Sequence, residues 1–175
     1  MEATPGDDPA RAVRLKILGI HLSNRYERTR NIQDLRAAIA RLEAAVGATP
    51  EDHPGRSGLL NSIGNRLGNR YEMTGDLQDL GAAIDRLEEA VGATPEDHAD
   101  RVVWLNNLRD YLGNRYERTG NMQDLEAVIA RSTAAVDVTP VDYPGRAALL
   151  NNLGIRLGNR YQRAGNLQDL DAAIT

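Results

Sequence analysis

Between residues 54 and 95 the apolar positions form two helical stripes separated by a turn signal. Leu60, Ile63, Leu67 and Tyr71 follow three- and four-residue steps, and rotation by 100° per residue gathers them within a stripe of about 100°. The spacing predicts a helix A over roughly 54–74. Pro54 suits its first turn, where a missing N–H costs nothing, and Asp52 or His53 stands ready as a cap. Gly75, which accepts the left-handed conformation, is the stop signal. Asp76 then reads as the N-cap of a helix B, with Asp79 in its first turn complementing the helix dipole. Leu77, Leu80, Ile84, Leu87 and Val91 give that helix its own stripe, and Gly92 followed by Thr94-Pro95 ends it.

The same pattern recurs every 45 residues. Thr4-Pro5 returns as Thr49-Pro50, Thr94-Pro95 and Thr139-Pro140, and Asn24-Arg25-Tyr26 returns at 69–71, 114–116 and 159–161. Gln33-Asp34-Leu35 returns at 78–80, 123–125 and 168–170, and the Asx residue that opens helix B is Asn31, Asp76, Asn121 or Asn166. The expected units are 4–48, 49–93, 94–138 and 139–175, the last stopping within helix B. The fold class that follows is all-α: antiparallel helix hairpins, none able to bury both faces alone, stacked as a solenoid in a single array over 1–175. Ser23, Gly68, Gly113 and Gly158, and alanine pairs such as Ala82-Ala83, are the expected points of close helix approach. Leu167, Leu170 and Ile174 are expected on an under-covered surface, and neither end carries a polar capping sequence. A fragment of a longer array, able to stack or exchange helices with other copies, is the corresponding expectation.

Composition narrows the functions. The chain has 175 residues, 41% apolar content and no cysteine, enough for a core and incompatible with disulfides or thiolate metal sites. That usage fits a cytoplasmic setting. A formal charge of −4 from 21 basic and 25 acidic residues leaves no basic footprint for nucleic acid. No run approaches the ~20 apolar residues of a membrane span.

The run 67–95 resembles a tetratricopeptide repeat: Leu67-Gly68 and Tyr71 on the first helix, Gly75-Asp76 at the turn, Ala83, Leu87 and Ala90 on the second, and Pro95 closing. The usual unit of about 34 residues is lengthened here by Leu77-Gln78-Asp79 and by TPEDHPGR with a longer helix A. The large aromatic often found early in helix A is replaced by Gly19, Gly64, Arg109 and Gly154. The resemblance implies a right-handed superhelix whose helix A faces line a concave, protein-binding groove. It is nearest to long arrays of fungal and bacterial multidomain proteins, including NOD-like receptors and proteins with a caspase-like domain. It thereby implies part of a larger sensor or adaptor.

Opposite the core stripe of helix A lies a row of one residue type: Asn24, Asn69, Asn114 and Asn159. An amide offers both donor and acceptor, so such a ladder can pair with the main chain of an extended peptide whatever its sequence. Some peptide-binding members of the resembled family use an Asn ladder in this way. The alternative is that these amides bond to adjacent repeats and hold the superhelix together. Neighbouring positions vary, and Asn65, Asp110, Glu72, Glu117, Met73 and Arg118 are the candidates for side-chain selectivity. Arg25, Arg70, Arg115 and Arg160 are expected to pair with Asp34, Asp79, Asp124 and Asp169 or with a nearby carbonyl. His53 and His98 follow Glu-Asp but align with Asp8 and Tyr143, so they read as turn residues, and Trp104 reads as packing. No nucleotide loop, nucleophile elbow or HExxH is present, and no metal, cofactor or catalysis is expected. The function expected is a scaffold for a protein or extended peptide. The alternative is a structural spacer or self-assembly module.

Overall fold

In the computed structural model, residues 9–174 are described. Among them eight α-helices and no strand are formed: α1 (Pro9–Thr29), α2 (Ile32–Gly47), α3 (Arg56–Thr74), α4 (Leu77–Gly92), α5 (Arg101–Thr119), α6 (Met122–Val138), α7 (Arg146–Ala164) and α8 (Leu167–Ile174). Odd-numbered helices are helix A and even-numbered ones helix B. The first Thr-Pro, Asp8 and the side chain of Ile174 lie outside the described residues. None of the described helices is long and apolar enough to cross a membrane. The chain divides within α5 into two compact units, one ending at Leu108 and one beginning at Arg109.

In the first unit α1 packs on α2, α2 on α3 and α3 on α4. Leu60, Ile63, Leu67 and Tyr71 are all buried, as the stripe requires, and the first three share a core with Tyr26, Leu35, Ile39, Leu42 and Trp104. The stripe of α4 is less uniform: Leu80, Ile84 and Leu87 are buried, Val91 is half-buried, and Leu77 is exposed in the first turn. In the second unit Tyr116, Leu125, Ile129 and Leu157 form the core, with Met122 and Leu153 against it. Leu167 and Leu170 are exposed there.

The turn from helix A to helix B follows its sequence signals. Gly75, Gly120 and Gly165 adopt φ of 72°, 71° and 69°, where a side chain would be strained. Asn31, Asp76, Asn121 and Asn166 each accept a hydrogen bond from the backbone N–H two residues on, at 2.9–3.0 Å.

The turn from helix B to helix A is built differently from expectation. α3 begins at Arg56, so Pro54 sits in the preceding turn, and the N-cap Gly55 supplies no side-chain bond. His53 folds that turn instead: its Nδ1 accepts from the Gly55 N–H at 3.0 Å, and Asp100 N–H donates to His98 Nδ1 at 3.2 Å in the next repeat. Gly92 stays helical, and the residue after it, Ala93, has φ −82°. A left-handed glycine is unnecessary because the last carbonyls have other partners. Thr49, Thr94 and Thr139 donate their hydroxyls to the carbonyls of Ala45, Ala90 and Ala135 at 2.6–2.7 Å.

Close helix approach also falls on another row of glycines. A Cβ at Gly19 would lie 2.8 Å from Leu42 Cγ, and one at Gly64 would lie 2.8 Å from Leu87 Cγ and 3.1 Å from the Ala83 carbonyl oxygen. At Gly158 a Cβ would meet nothing within 4 Å, and at Gly113 the nearest group is the Arg156 guanidinium. Gly19 and Gly64, two of the positions that lack the large aromatic of the resembled family, therefore seat helix B against helix A.

Candidate functional site

Within every hairpin an arginine of helix A grips an aspartate in the first turn of helix B. Arg25 Nε and Nη2 donate to Asp34 at 2.7 and 2.5 Å, and Arg70 binds Asp79 with the same two distances. Arg115 binds Asp124 and Arg160 binds Asp169 at 2.8 and 2.6 Å. The four aspartates are buried. The guanidinium hydrogen bonds hold the carboxyls of Asp34 and Asp169 below their ordinary range and keep Arg25, Arg70 and Arg160 firmly charged. Helix A is thereby fixed in rotation, which decides which of its residues face outward.

The ladder asparagines lie next to these arginines in sequence and point elsewhere. Asn24 is exposed, and Asn69, Asn114 and Asn159 are half-buried. With its amide oriented to suit its surroundings, Asn69 donates to the Asn65 carbonyl at 3.3 Å and accepts from Arg66 at 3.2 Å. The amides of Asn24, Asn114 and Asn159 form no such bond among the described residues.

Other candidates have partners in the adjacent hairpin. Glu117 accepts from Arg156 at 3.0 Å, as Glu27 accepts from Arg66 at 2.8 Å in the first unit, and the Tyr26 hydroxyl donates to Met73 Sδ at 3.1 Å. Asp110 pairs with its neighbour Arg109 at 2.8 Å. Glu72 and Arg118 are exposed, and Asn65 is half-buried. In the second unit Glu117 and Asn159 come together with Tyr116, Gln162 and Arg163 around an open depression of about 440 Å³. The Arg163 guanidinium stacks over the Tyr116 ring, 5.6 Å from its centre. Asp110 lies apart, at a second cavity on the same unit. No group of three or more His, Asp or Glu side chains among the described residues is placed to hold a metal.

A second set of arginines closes the turn from helix B to helix A. Arg56 Nη1 donates to the Val46 and Thr49 carbonyls at 2.7 and 2.6 Å, and Arg101 Nη1 to those of Val91 and Thr94 at 2.7 and 2.5 Å. Arg146 binds the carbonyls of Val136 and Thr139 in the same way. The signal was present, since each arginine stands six residues after the proline of Thr-Pro.

Antiparallel hairpins joined by these repeated caps and clamps, with polar outward rows on helix A, define the chain as a helical-repeat interaction scaffold. Residues 58–100 match the tetratricopeptide repeat family. Among solved structures the chain is similar to the nearly identical TPR-like repeats of a Podosopora anserina protein described as a kinesin light chain. The TM-score is 0.61 at 17% identity, over 98% of this chain and 77% of the other. At that identity the likeness concerns the fold. No curated protein sequence matches the chain.

Proposed function

We propose that this chain is a non-catalytic, cytoplasmic scaffold that holds an extended peptide, or an extended segment of a partner protein, on the outward faces of its helix A elements. Asn24, Asn69, Asn114 and Asn159 pair with the main chain of that peptide. Asn65, Asp110, Glu72, Glu117, Met73 and Arg118 select among its side chains. The observation that carries this reading is the depression of about 440 Å³ around Asn159, whose amide has no partner among the described residues. A half-buried amide aimed at an open surface gains most from a ligand that supplies both an N–H and a carbonyl. The repeats 4–48, 49–93, 94–138 and 139–175 then act as one array, within a larger sensor or adaptor of the kind they resemble.

The test uses a peptide selected by display against the purified chain. Asn114→Ala combined with Asn159→Ala should weaken its binding about tenfold or more, given roughly 1 kcal/mol per lost hydrogen bond, with the melting temperature unchanged. Unchanged binding with a lowered melting temperature would assign the ladder to structure instead.

Self-assembly is a second reading, favoured by one observation. Leu18 is 44% exposed, whereas its equivalents Ile63 and Leu108 are 1% and 0% exposed. A copy of this chain could cover that leucine. Light scattering at high concentration should then report a mass above the monomer that Leu18→Glu abolishes, and a monomeric mass throughout removes this reading.

A further inference from the structure

The third repeat breaks the packing rule of the first two at one paired position. In the first two hairpins a glycine of helix A meets a buried leucine of helix B: Gly19 with Leu42, and Gly64 with Leu87. At the corresponding positions the third hairpin carries Arg109 and Ser132. The two exchanges require each other sterically, because a side chain at the glycine position would collide with the leucine. Together they replace an apolar contact with a cavity of about 160 Å³. Its polar wall is Arg109, Asp110, Ser132, Asn152 and Arg156. Its apolar wall is Val128, Leu149 and Ile155.

Opening a cavity and burying a hydroxyl both destabilise a helix hairpin, and the neighbouring repeats show that the fold has no need of either. Ser132 is only 7% exposed, borders the cavity, and forms no side-chain hydrogen bond among the described residues. Two guanidiniums, a hydroxyl and an amide line this space with a single carboxylate, Asp110, while Glu117, outside the lining, accepts from Arg156. That carboxylate is 64% exposed and reaches Arg109 from the adjacent residue of the same helix, geometry that makes a weak and displaceable ion pair. The volume exceeds by several-fold what one water needs and suits a side chain of a few heavy atoms. Asp110 and Ile155 are exposed and stand one helical turn before Asn114 and Asn159, so the cavity borders the face to which peptide binding is assigned.

We propose that this cavity is a pocket for an acidic side chain of the bound peptide, which displaces Asp110 from Arg109 and accepts hydrogen bonds from Arg109, Ser132 and Arg156 while its methylenes lie on Leu149 and Ile155. The assignment rests on the reading of the helix A face as the peptide site and gives that site its side-chain preference. Asp110 is the placeholder on Arg109 when the pocket is empty, and Glu117 holds Arg156.

The probe is N-acetylglutamic acid α-amide, titrated into the isotopically labelled chain and followed by NMR at the Ser132 backbone amide, the Asn152 side-chain amide and the Arg109 Nε–H. Saturable shifts are expected, at least fivefold weaker with N-acetylglutamine amide. Asp110→Asn removes the competing carboxylate and should tighten binding. Arg109→Gly combined with Ser132→Leu restores the packing of the first two hairpins. It should abolish the shifts while raising the melting temperature by roughly 5 °C, which separates lost binding from lost folding. Equal response to acid and amide, weaker binding by Asp110→Asn, or persistent binding by the repacked double variant overturns the proposal. Asn114→Ala with Asn159→Ala should leave this probe bound. Failure of the ladder and failure of the pocket are thereby read separately.

Discussion

Adding one methyl group at Gly64 tests how closely α3 and α4 approach. The new Cβ would lie 2.8 Å from Leu87 Cγ and 3.1 Å from the Ala83 carbonyl oxygen. Carbon atoms rest at about 3.5–4.0 Å, so the contact must open by about 1 Å. Leu87 is fully buried, and the Arg70–Asp79 pair ties the two helices beside it, so the strain has little room to relax. Overpacking of this kind costs about 1–3 kcal/mol, against which replacing glycine by alanine inside a helix returns about 1 kcal/mol. The return is measured by Gly81→Ala, because a Cβ at Gly81 on α4 meets nothing within 4 Å. The difference between the two variants isolates the steric cost. At about 2–4 °C per kcal/mol for a chain of this size, Gly81→Ala should melt about 5 °C above Gly64→Ala by far-UV circular dichroism. In a Leu87→Ala background, where the clashing atoms are gone, the cost at Gly64 should largely disappear, giving a coupling of about 1 kcal/mol or more. Equal melting of Gly64→Ala and Gly81→Ala would refute the close approach, and with it the reason given for the Arg109 and Ser132 exchange.

Two further predictions concern the repeated polar contacts. Arg101→Met keeps the aliphatic stem but removes the bonds to the Val91 and Thr94 carbonyls, and should lower stability by about 1–3 kcal/mol in urea titration; an unchanged midpoint would mean that water serves those carbonyls equally well. Arg25 and Arg160 hold Asp34 and Asp169 below the usual carboxylate value of 3.8, so the stability these pairs contribute is present above that value and is lost as pH falls through the lowered native values. Melting temperature should therefore decline below about pH 4, and less steeply for Asp34→Asn than for the parent; parallel acid profiles would count against this pair as a source of acid sensitivity.

The period and the hairpin were legible because they depend on local chemistry. Leucines at three- and four-residue steps can be buried together only on one side of a helix, and Gly75 or Asp76 ends or starts that helix through its own backbone preference. The Arg70–Asp79 pairing was also legible, since both residues recur in step in every repeat. Helix B ends at Gly92, where its sequence signals place it, but by a different device. Gly92 stays helical instead of capping, and Thr94 and Arg101 satisfy the last carbonyls; Arg101 lies ten residues from Val91, beyond the reach of local capping rules. Gly19 and Gly64 stand where the resembled family often has a large aromatic, and their part as a seat for the facing helix depends on Leu42 and Leu87 of another helix.

The asparagine ladder marks the division between the two kinds of information. Identity and spacing gave Asn24, Asn69, Asn114 and Asn159 the same position on each helix A, because rotation along a helix is a property of the chain alone. Whether each amide is engaged depends on what the fold brings near it: Arg66 reaches Asn69, whereas Asn159 borders an open depression. The cavity at Arg109, Asp110 and Ser132 was hidden for the same reason. The substitutions of Gly by Arg and Leu by Ser lie on different helices, and they become one feature only when antiparallel packing sets them face to face. The sequence by itself determined the helices, their period and their polar rows. Tertiary structure decided which side chains share a space, because contacts between helices depend on packing register, and no single helix carries that register.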